Sequence, residues 1–401
     1  MGLEQGTRIG TRRQPEKQDD NPYIAQRPYD ERAPRVALRG DLFFELHKNP
    51  LIASPEEVQW GENNFVIFGA AQGISERKNG DRGPGRPSNG TSVISIANGQ
   101  AGVDEPMGKF RLLAIGELVK KKLLSPDVTF IVPSNGMDPK KGVDWGAPTV
   151  AFLEKRVGLT GVVKKYGSRD TIGESAVLLE EMHKQNLTHV VVITDGLQIM
   201  RQELTTMAHV FVHGNPPIWA VERFEHSMQL IVDHPLWNVF ANKGNIAQLK
   251  VYVQSLSSLT PEKQKAQLRM LDLLCTIAQN PGAYYPNDPE KFSEVAQRLM
   301  LHTNNIHWRD HVTPEVVNHI QASGAKIVYV LAEHVFASLR PESTTFMSRW
   351  IQQPNILMTA ASNLKGAYDM ANDWYYHPDP EKKRRAETTI IETGEYQVAS
   401  V

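Results

Sequence analysis

The feature that most constrains this chain is a repeated pattern: a short apolar run that stops on a small or polar residue, followed by a stretch with helical periodicity. The clearest run is HVVVITDG, residues 189–196, which is β-branched and too short for a buried helix. NNFVIFGAAQG closes on Gly69, Ala70 and Ala71, and VTFIVPSNG closes on Ser134, Asn135 and Gly136. GVVKKYG leads into Ser168, Arg169, Asp170 and Thr171. Between these runs, FRLLAIGELVKKKLL sets Leu112, Ile115, Leu118 and Val119 on one stripe, while APTVAFLEKRVG, TIGESAVLLEEMHKQ and LQIMRQELTTMAHVF also read as helices. Runs that are apolar throughout belong to strands covered on both faces, so the alternation predicts an α/β fold. Its sheet is mostly parallel, joined by right-handed crossovers, with helices on both faces.

The pattern predicts three more strands, in PPIWAVERF, AKIVYVLAEH and NILMTAAS, and a helix in RPESTTFMSRWIQQ. PEKQKAQLRMLDLLCTIAQ and PEKFSEVAQRLMLH each open on proline and glutamate, the chemistry of a helix first turn. The expected organisation is therefore an arm over residues 1–40, an α/β core over 41–226 and a helical insertion over 227–320. An α/β extension over 321–376 completes the sheet, and a tail covers 377–401. ISERKNGDRGPGRPSNG is so rich in glycine, proline and charge that it reads as a loop, long enough to serve as a lid.

With 401 residues, 40% of them hydrophobic, the chain has material for a large core. Its 44 basic and 45 acidic residues leave a net charge of -1, so no global field favours nucleic acid or an anionic membrane. The expected partner is a small-molecule substrate, with neither nucleic acid nor membrane; the oligomeric state stays open, a homodimer being one option. Cys275, the single cysteine, lies in LDLLCTIA, which reads as a buried helix face and rules out an intramolecular disulfide or a thiolate metal cluster. MGLEQGTRIGTRRQPEKQDDNP has no apolar core of a signal peptide, and no apolar run is of spanning length, so the expected compartment is the cytoplasm.

In an open parallel sheet, ligands bind outside the carboxyl ends of the strands. The candidates are accordingly Gly69, Ala70, Ala71, Ser134, Asn135, Gly136, Ser168, Asp170, Thr171, Thr194, Asp195, Gly196 and Gln198, with Glu222 and Arg223 after the run PPIWAVERF. Small residues allow close approach of backbone, and hydroxyls, amides and helix N-termini offer hydrogen bonds. An equal case exists for local roles. Ser168, Asp170 or Thr171 can cap the next helix, with Glu174 completing a capping box on Thr171, and Asp195-Gly196 is ordinary turn chemistry. Arg111 and Arg201 can face the crevice or solvent. Glu333 and His334, after KIVYVL, form a conceivable acid–base pair. His302, His307 and His311 are too weakly organised to predict a metal site, and RGPGRPSNG lacks the lysine-serine ending of a phosphate loop.

SRDTIGESAVLLEEM followed by HVVVITDGLQIMR resembles the YdcF/SanA/ElyC-like bacterial family. Phe68-Gly69-Ala70-Ala71, Arg111 with Ala114, Ser134-Asn135-Gly136, Ser168 to Glu174 and Thr194 to Arg201 follow the family's order across residues 63–222. Gln198 stands where the family has histidine, Ser175 where it has asparagine, and Asn135 interrupts a double glycine. The resemblance implies a Rossmann-like α/β core, and some members bind S-adenosylmethionine. In that case Gly69, Ala70, Ala71, Arg111, Ser134, Asn135, Gly136, Ser168, Asp170, Thr171, Glu174, Thr194, Asp195, Gln198 and Arg201 border the cofactor. Alignment of a nucleophile with a sulfonium needs no elaborate acid–base set. The leading expectation is an enzyme that transfers a methyl or other alkyl group from S-adenosylmethionine, or a related nucleotide, to a small molecule. Two other readings are a nucleotide-sensing or cell-envelope-homeostasis protein without turnover, and a hydrolase using Asp195 and Glu174 on a phosphorylated small molecule.

Overall fold

The structure, a computed structural model, describes residue 36 and residues 42–58, 60, 65–69, 74–78, 92–96, 106–133, 137–138, 143–144, 150, 153–165, 171–214, 216–256, 259–301, 310–341 and 351–371. The expected arm and tail, and the site candidates Ala70, Ala71, Ser134, Asn135, Gly136, Ser168 and Asp170, lie outside the described residues. So do His302, His307 and most of RPESTTFMSRWIQQ.

The strands are β1 (Phe65–Gly69), β2 (Ile74–Lys78), β3 (Ser92–Ile96), β4 (Thr129–Pro133), β5 (Met137–Asp138), β6 (Val143–Asp144), β7 (Val162–Lys165), β8 (His189–Thr194) and β9 (Lys326–Leu331). Five of them form one sheet in the order β7-β4-β1-β8-β9, and every neighbouring pair in it is parallel. Phe130, Ile131, Val190, Val191, Val192, Ile193, Val330 and Leu331 are buried, as strands covered on both faces require. Counted along the chain, the sheet strands stand third, second, first, fourth, fifth. Successive connections therefore run one way from β1 and the other way from β7, and the reversal falls between β1 and β8. Beyond β9, Ile52 bridges Tyr329 in parallel, so the segment before β1 extends that edge. At the other edge, a Cβ on Gly161 would lie 2.3 Å from the Val128 carbonyl oxygen, so only glycine lets the chain enter β7 there.

The helices are α1 (Pro106–Lys120), α2 (Thr171–Lys184), α3 (Ile199–Phe211), α4 (Ile218–Val232), α5 (Leu236–Ala241), α6 (Lys243–Ser255), α7 (Pro261–Ile277), α8 (Pro289–Leu301), α9 (Pro314–Ser323), α10 (Ala332–Leu339) and α11 (Pro354–Ala371). Right-handed crossovers running in opposite directions put α1 and α2 on opposite faces of the sheet. In keeping with this, α1 packs on α10, and α2 packs on α3 and α9. α3 lies among α2, α4, α8 and α11, with every residue buried except Arg201. Of the helical segment from α4 to α9, α4 and α8 pack on α3 and α9 packs on α2, whereas α6 and α7 pack on each other and on α11.

Four expectations are corrected. PPIWAVERF is the start of α4: Ala220, Phe224, Ser227, Met228 and Ile231 are buried at helical spacing, whereas Ile218, which an alternating strand would bury beside Ala220, is 72% exposed. Its Glu222 and Arg223 therefore do not sit at a strand end. NILMTAAS lies in α11, where Ile356, Leu357, Ala360, Ala361, Leu364, Ala367, Tyr368 and Ala371 continue a helical stripe past the quoted run. ISERK is not loop but β2, paired antiparallel with SVISI in β3, from Ile74 opposite Ile96 to Lys78 opposite Ser92. Cys275 is only partly buried on α7. APTVAFLEKRVG supplies one described turn, the π-helical Leu153–Val157. No helix among the described residues is long and apolar enough to cross a membrane.

Candidate active site at the carboxyl ends of the strands

β1 ends at Gly69, which is paired with Ile193, so the chain leaves β1 level with Thr194 and Asp195. Asp195 turns the chain from β8 into α3. Its Oδ1 accepts from the backbone N–H groups of Leu197 (2.9 Å) and Gln198 (3.0 Å), and its carbonyl accepts from those of Gln198 and Ile199. The turn role and the site role coexist in one side chain, because Asp195 Oδ2 lies 2.8 Å from Arg111 Nε in an ion pair whose side chains are 0% and 1% exposed. Arg111 reaches this point from α1, the helix that follows the β2–β3 hairpin.

Glu333 joins the pair from α10. Both of its carboxylate oxygens accept from Gly196 N–H, at 3.2 and 3.3 Å. Two carboxylates and a guanidinium therefore meet at the ends of β8 and β9, all buried. Burial pushes the Glu333 carboxyl up to about 8, the Asp195 charge adds to the rise, and the Gly196 N–H and Arg111 oppose it. Burial also raises Asp195, against the pull of Arg111 and of the Leu197 and Gln198 N–H groups. The expected acid–base pair of Glu333 with His334 does not form. His334 Nε2–H donates to the Phe43 carbonyl (3.0 Å), away from Glu333's partner Gly196.

Three features of this site were not read from the sequence. The Phe43 ring lies over Gly196, where a Cβ would come within 2.5 Å of the ring, so the glycine here makes room for a lid residue. His234 Nε2–H donates to the Gly196 carbonyl (2.8 Å), and burial lowers its pKa to about 3, fixing it neutral. Among the described residues, the Thr171 and Thr194 hydroxyls and both amide atoms of Gln202 are buried without a hydrogen-bond partner. DLFFELHKN and VDHPLW hold the first two residues, but nothing local in either run signals contact with residue 196.

The remaining candidates divide. Thr194 and Gln198 are buried beside Asp195 in the chain. Arg201 faces neither crevice nor solvent alone: its Cδ, Nε and Nη1 lie 3.6–3.8 Å from where a Cβ on Gly366 of α11 would stand. Thr171 is already inside α2 and its hydroxyl makes no hydrogen bond, so the capping box on Thr171 is not formed. Glu174 is buried on α2, and no contact joins it to Asp195. The next residue, Ser175, bonds to Thr205 (2.8 Å) and Thr206 (3.1 Å), which turns that part of α2 toward α3. Among the described residues, no group of three or more His, Cys, Asp or Glu is arranged to hold a metal ion; His311 instead lies 3.2 Å from Glu180.

A second buried arginine–carboxylate pair has a different character. Glu203 of α3 receives Arg223 through two hydrogen bonds of 2.8 Å, together with the hydroxyls of Ser227 (2.5 Å) and Tyr329 (2.7 Å). Arg223 Nη1 also donates to the Ile327 carbonyl (2.9 Å). This network ties α3, α4 and β9 together and leaves both Glu203 oxygens engaged. No family model, curated protein or solved structure matches the chain.

Proposed function

We propose that the chain is a Rossmann-like α/β enzyme that binds S-adenosylmethionine, or a related nucleotide, outside the carboxyl ends of β1 and β8. It transfers a methyl or other alkyl group to a small molecule. The observation that carries the location is the buried Arg111–Asp195 pair, with Glu333, at the point where the strand order reverses. Crevices at such reversals are where open parallel sheets bind ligands. The identity of the ligand rests on the ordered motif set over residues 63–222 and its likeness to the YdcF/SanA/ElyC-like family.

The residues present fit such a ligand. The Asp195 and Glu333 carboxylates accept hydrogen bonds from ribose hydroxyls or an amino group, and the unpartnered Thr194 hydroxyl can donate or accept. Arg111 holds Asp195 in place and limits the negative charge of the site. Once bound, a sulfonium supplies an electrophilic methyl group. The chain's part is to align and to exclude water, which Phe43 over Gly196 begins. A mechanism that routes a proton through histidine beside Asp195 has no residue here, since Gln198 occupies that place and His234 is held neutral by burial.

Calorimetry with S-adenosylmethionine and its demethylated thioether product tests the reading. Binding of either in the micromolar range, weakened at least tenfold by Arg111→Met, is the expected result. No binding of either at millimolar concentration overturns it. Product analysis with bound ligand then separates turnover from sensing. Release of phosphate from a phosphorylated small molecule would instead favour the hydrolase reading that uses Asp195 and Glu174.

A further inference from the structure

The Asp195–Gly196–Glu333 cluster carries more negative charge than Arg111 can balance. Two carboxylates lie on either side of a single glycine, and among the described residues the one guanidinium in contact lies 2.8 Å from Asp195. Among the described residues, the histidines beside it add no charge. His234 Nε2–H is turned to the Gly196 carbonyl and His334 to Phe43; the Glu117–Arg340 ion pair (3.3 Å), further along α1, joins that helix to the residue after α10. The Phe43 ring covers Gly196, so water does little to screen the two carboxylates from each other.

We propose that Asp195 and Glu333 together retain one proton in the ligand-free protein and release it to solvent when a positively charged ligand group enters. Glu333 is then the specificity residue that favours cationic over neutral or anionic ligands. The inference rests on the functional reading above and deepens it. Asp195 keeps its charge because it faces Arg111 and receives two N–H groups, so the proton resides on Glu333. The elevated titration of Glu333 agrees with this assignment. With the proton on, the cluster is neutral, two carboxyls with one negative charge against Arg111. A cation entering beside Glu333 replaces the proton charge for charge: the O–H bond breaks, its electron pair stays on the carboxylate, and the proton passes to the buffer. An anion or a neutral group gains nothing from that exchange.

Two measurements test the proposal. Infrared difference spectra of the ligand-free wild type against Glu333→Gln at neutral pH should contain the carbonyl stretch of a protonated carboxyl. Asp195→Asn should lose that band, because Glu333 then ionises to balance Arg111. A wild type without the band overturns the proposal before any ligand is added. Calorimetry in buffers of different ionisation enthalpy should then give release of about one proton per S-adenosylmethionine bound at neutral pH, and markedly less with the uncharged thioether. Glu333→Gln should abolish the difference and narrow the preference for the sulfonium at least fivefold. Equal proton release for both ligands overturns the selectivity while the functional reading stands. Binding of neither ligand overturns the functional reading and the selectivity with it, and the infrared band alone decides whether the proton is held.

Discussion

Among the described residues two arginine–carboxylate pairs are buried, and they differ in what surrounds them. Around Glu203, every donor finds an acceptor: Arg223 binds in fork geometry, Ser227 and Tyr329 fill the remaining lone pairs, and the spare guanidinium N–H goes to Ile327. Around Asp195 stand a second carboxylate and a neighbouring hydroxyl, Thr194, with no partner. A satisfied buried network is a fastener, and a buried site with groups left over has capacity to bind. Burial and charge alone do not distinguish the two; the count of unused hydrogen-bonding capacity does.

Breaking each pair should expose that difference. Glu203→Ala strands Arg223, Ser227 and Tyr329 together and should cost about 3–5 kcal/mol in denaturant unfolding, the range for a buried pair that loses one partner. Asp195→Asn should cost less, about 1–3 kcal/mol, because Glu333 can ionise and balance Arg111 while the amide oxygen still accepts the turn N–H groups. Equal losses at the two sites would erase the contrast.

The contrast also has a pH dependence. Glu333 is raised from 4.5 to about 8, so the stability it contributes is full below pH 4.5 and is lost as pH rises toward 8. The slope is at most on the order of 1 kcal/mol per pH unit. Glu333→Gln should flatten that decline in thermal melts taken from pH 5 to 9. His209 and His234 act in the opposite sense: lowered from 6.5 to about 4 and about 3, they cost stability as pH falls below 6.5. Glu203→Ala should leave the alkaline decline in place.

Smaller effects sharpen the picture of the lid. Gly196→Ala pushes a methyl group into the Phe43 ring and should cost about 1–3 kcal/mol, with a loss of ligand affinity as Phe43 and the Asp195 turn shift. Gly324→Ala offers a control far from the site. It ends α9 in a left-handed conformation with φ of 63° and open space around it, so the cost should be about 1 kcal/mol with affinity unchanged.

The sheet was legible because its strands are short, apolar and bounded by small residues: HVVVITDG, VTFIVPSNG and AKIVYVLAEH all became strands of one parallel sheet. PPIWAVERF and NILMTAAS failed for one shared reason. A quoted run of eight or nine apolar-rich residues does not separate a strand from the first turns of a buried helix, and in both cases the periodicity that decides lies further along the chain. Asp195 was singled out from its place after a strand, whereas Arg111 was left between crevice and solvent and entered only through the family resemblance. Their pairing was not legible, since it depends on how α1 packs over the end of β8. Glu333 was singled out with the wrong partner, because adjacency in sequence suggested His334 whereas the start of α10 turns the two side chains to Gly196 and Phe43.

Hydrogen exchange of the backbone amides, with and without S-adenosylmethionine, tests most directly whether the Arg111–Asp195 pair marks the binding site. The account predicts that ligand slows exchange at Gly196, Leu197 and Gln198 and along the Arg111 turn of α1, and leaves the amides around Glu203, Arg223 and Tyr329 unchanged. Protection centred on the α3–α4–β9 network, or ligand binding that leaves the Asp195 turn untouched, would contradict it.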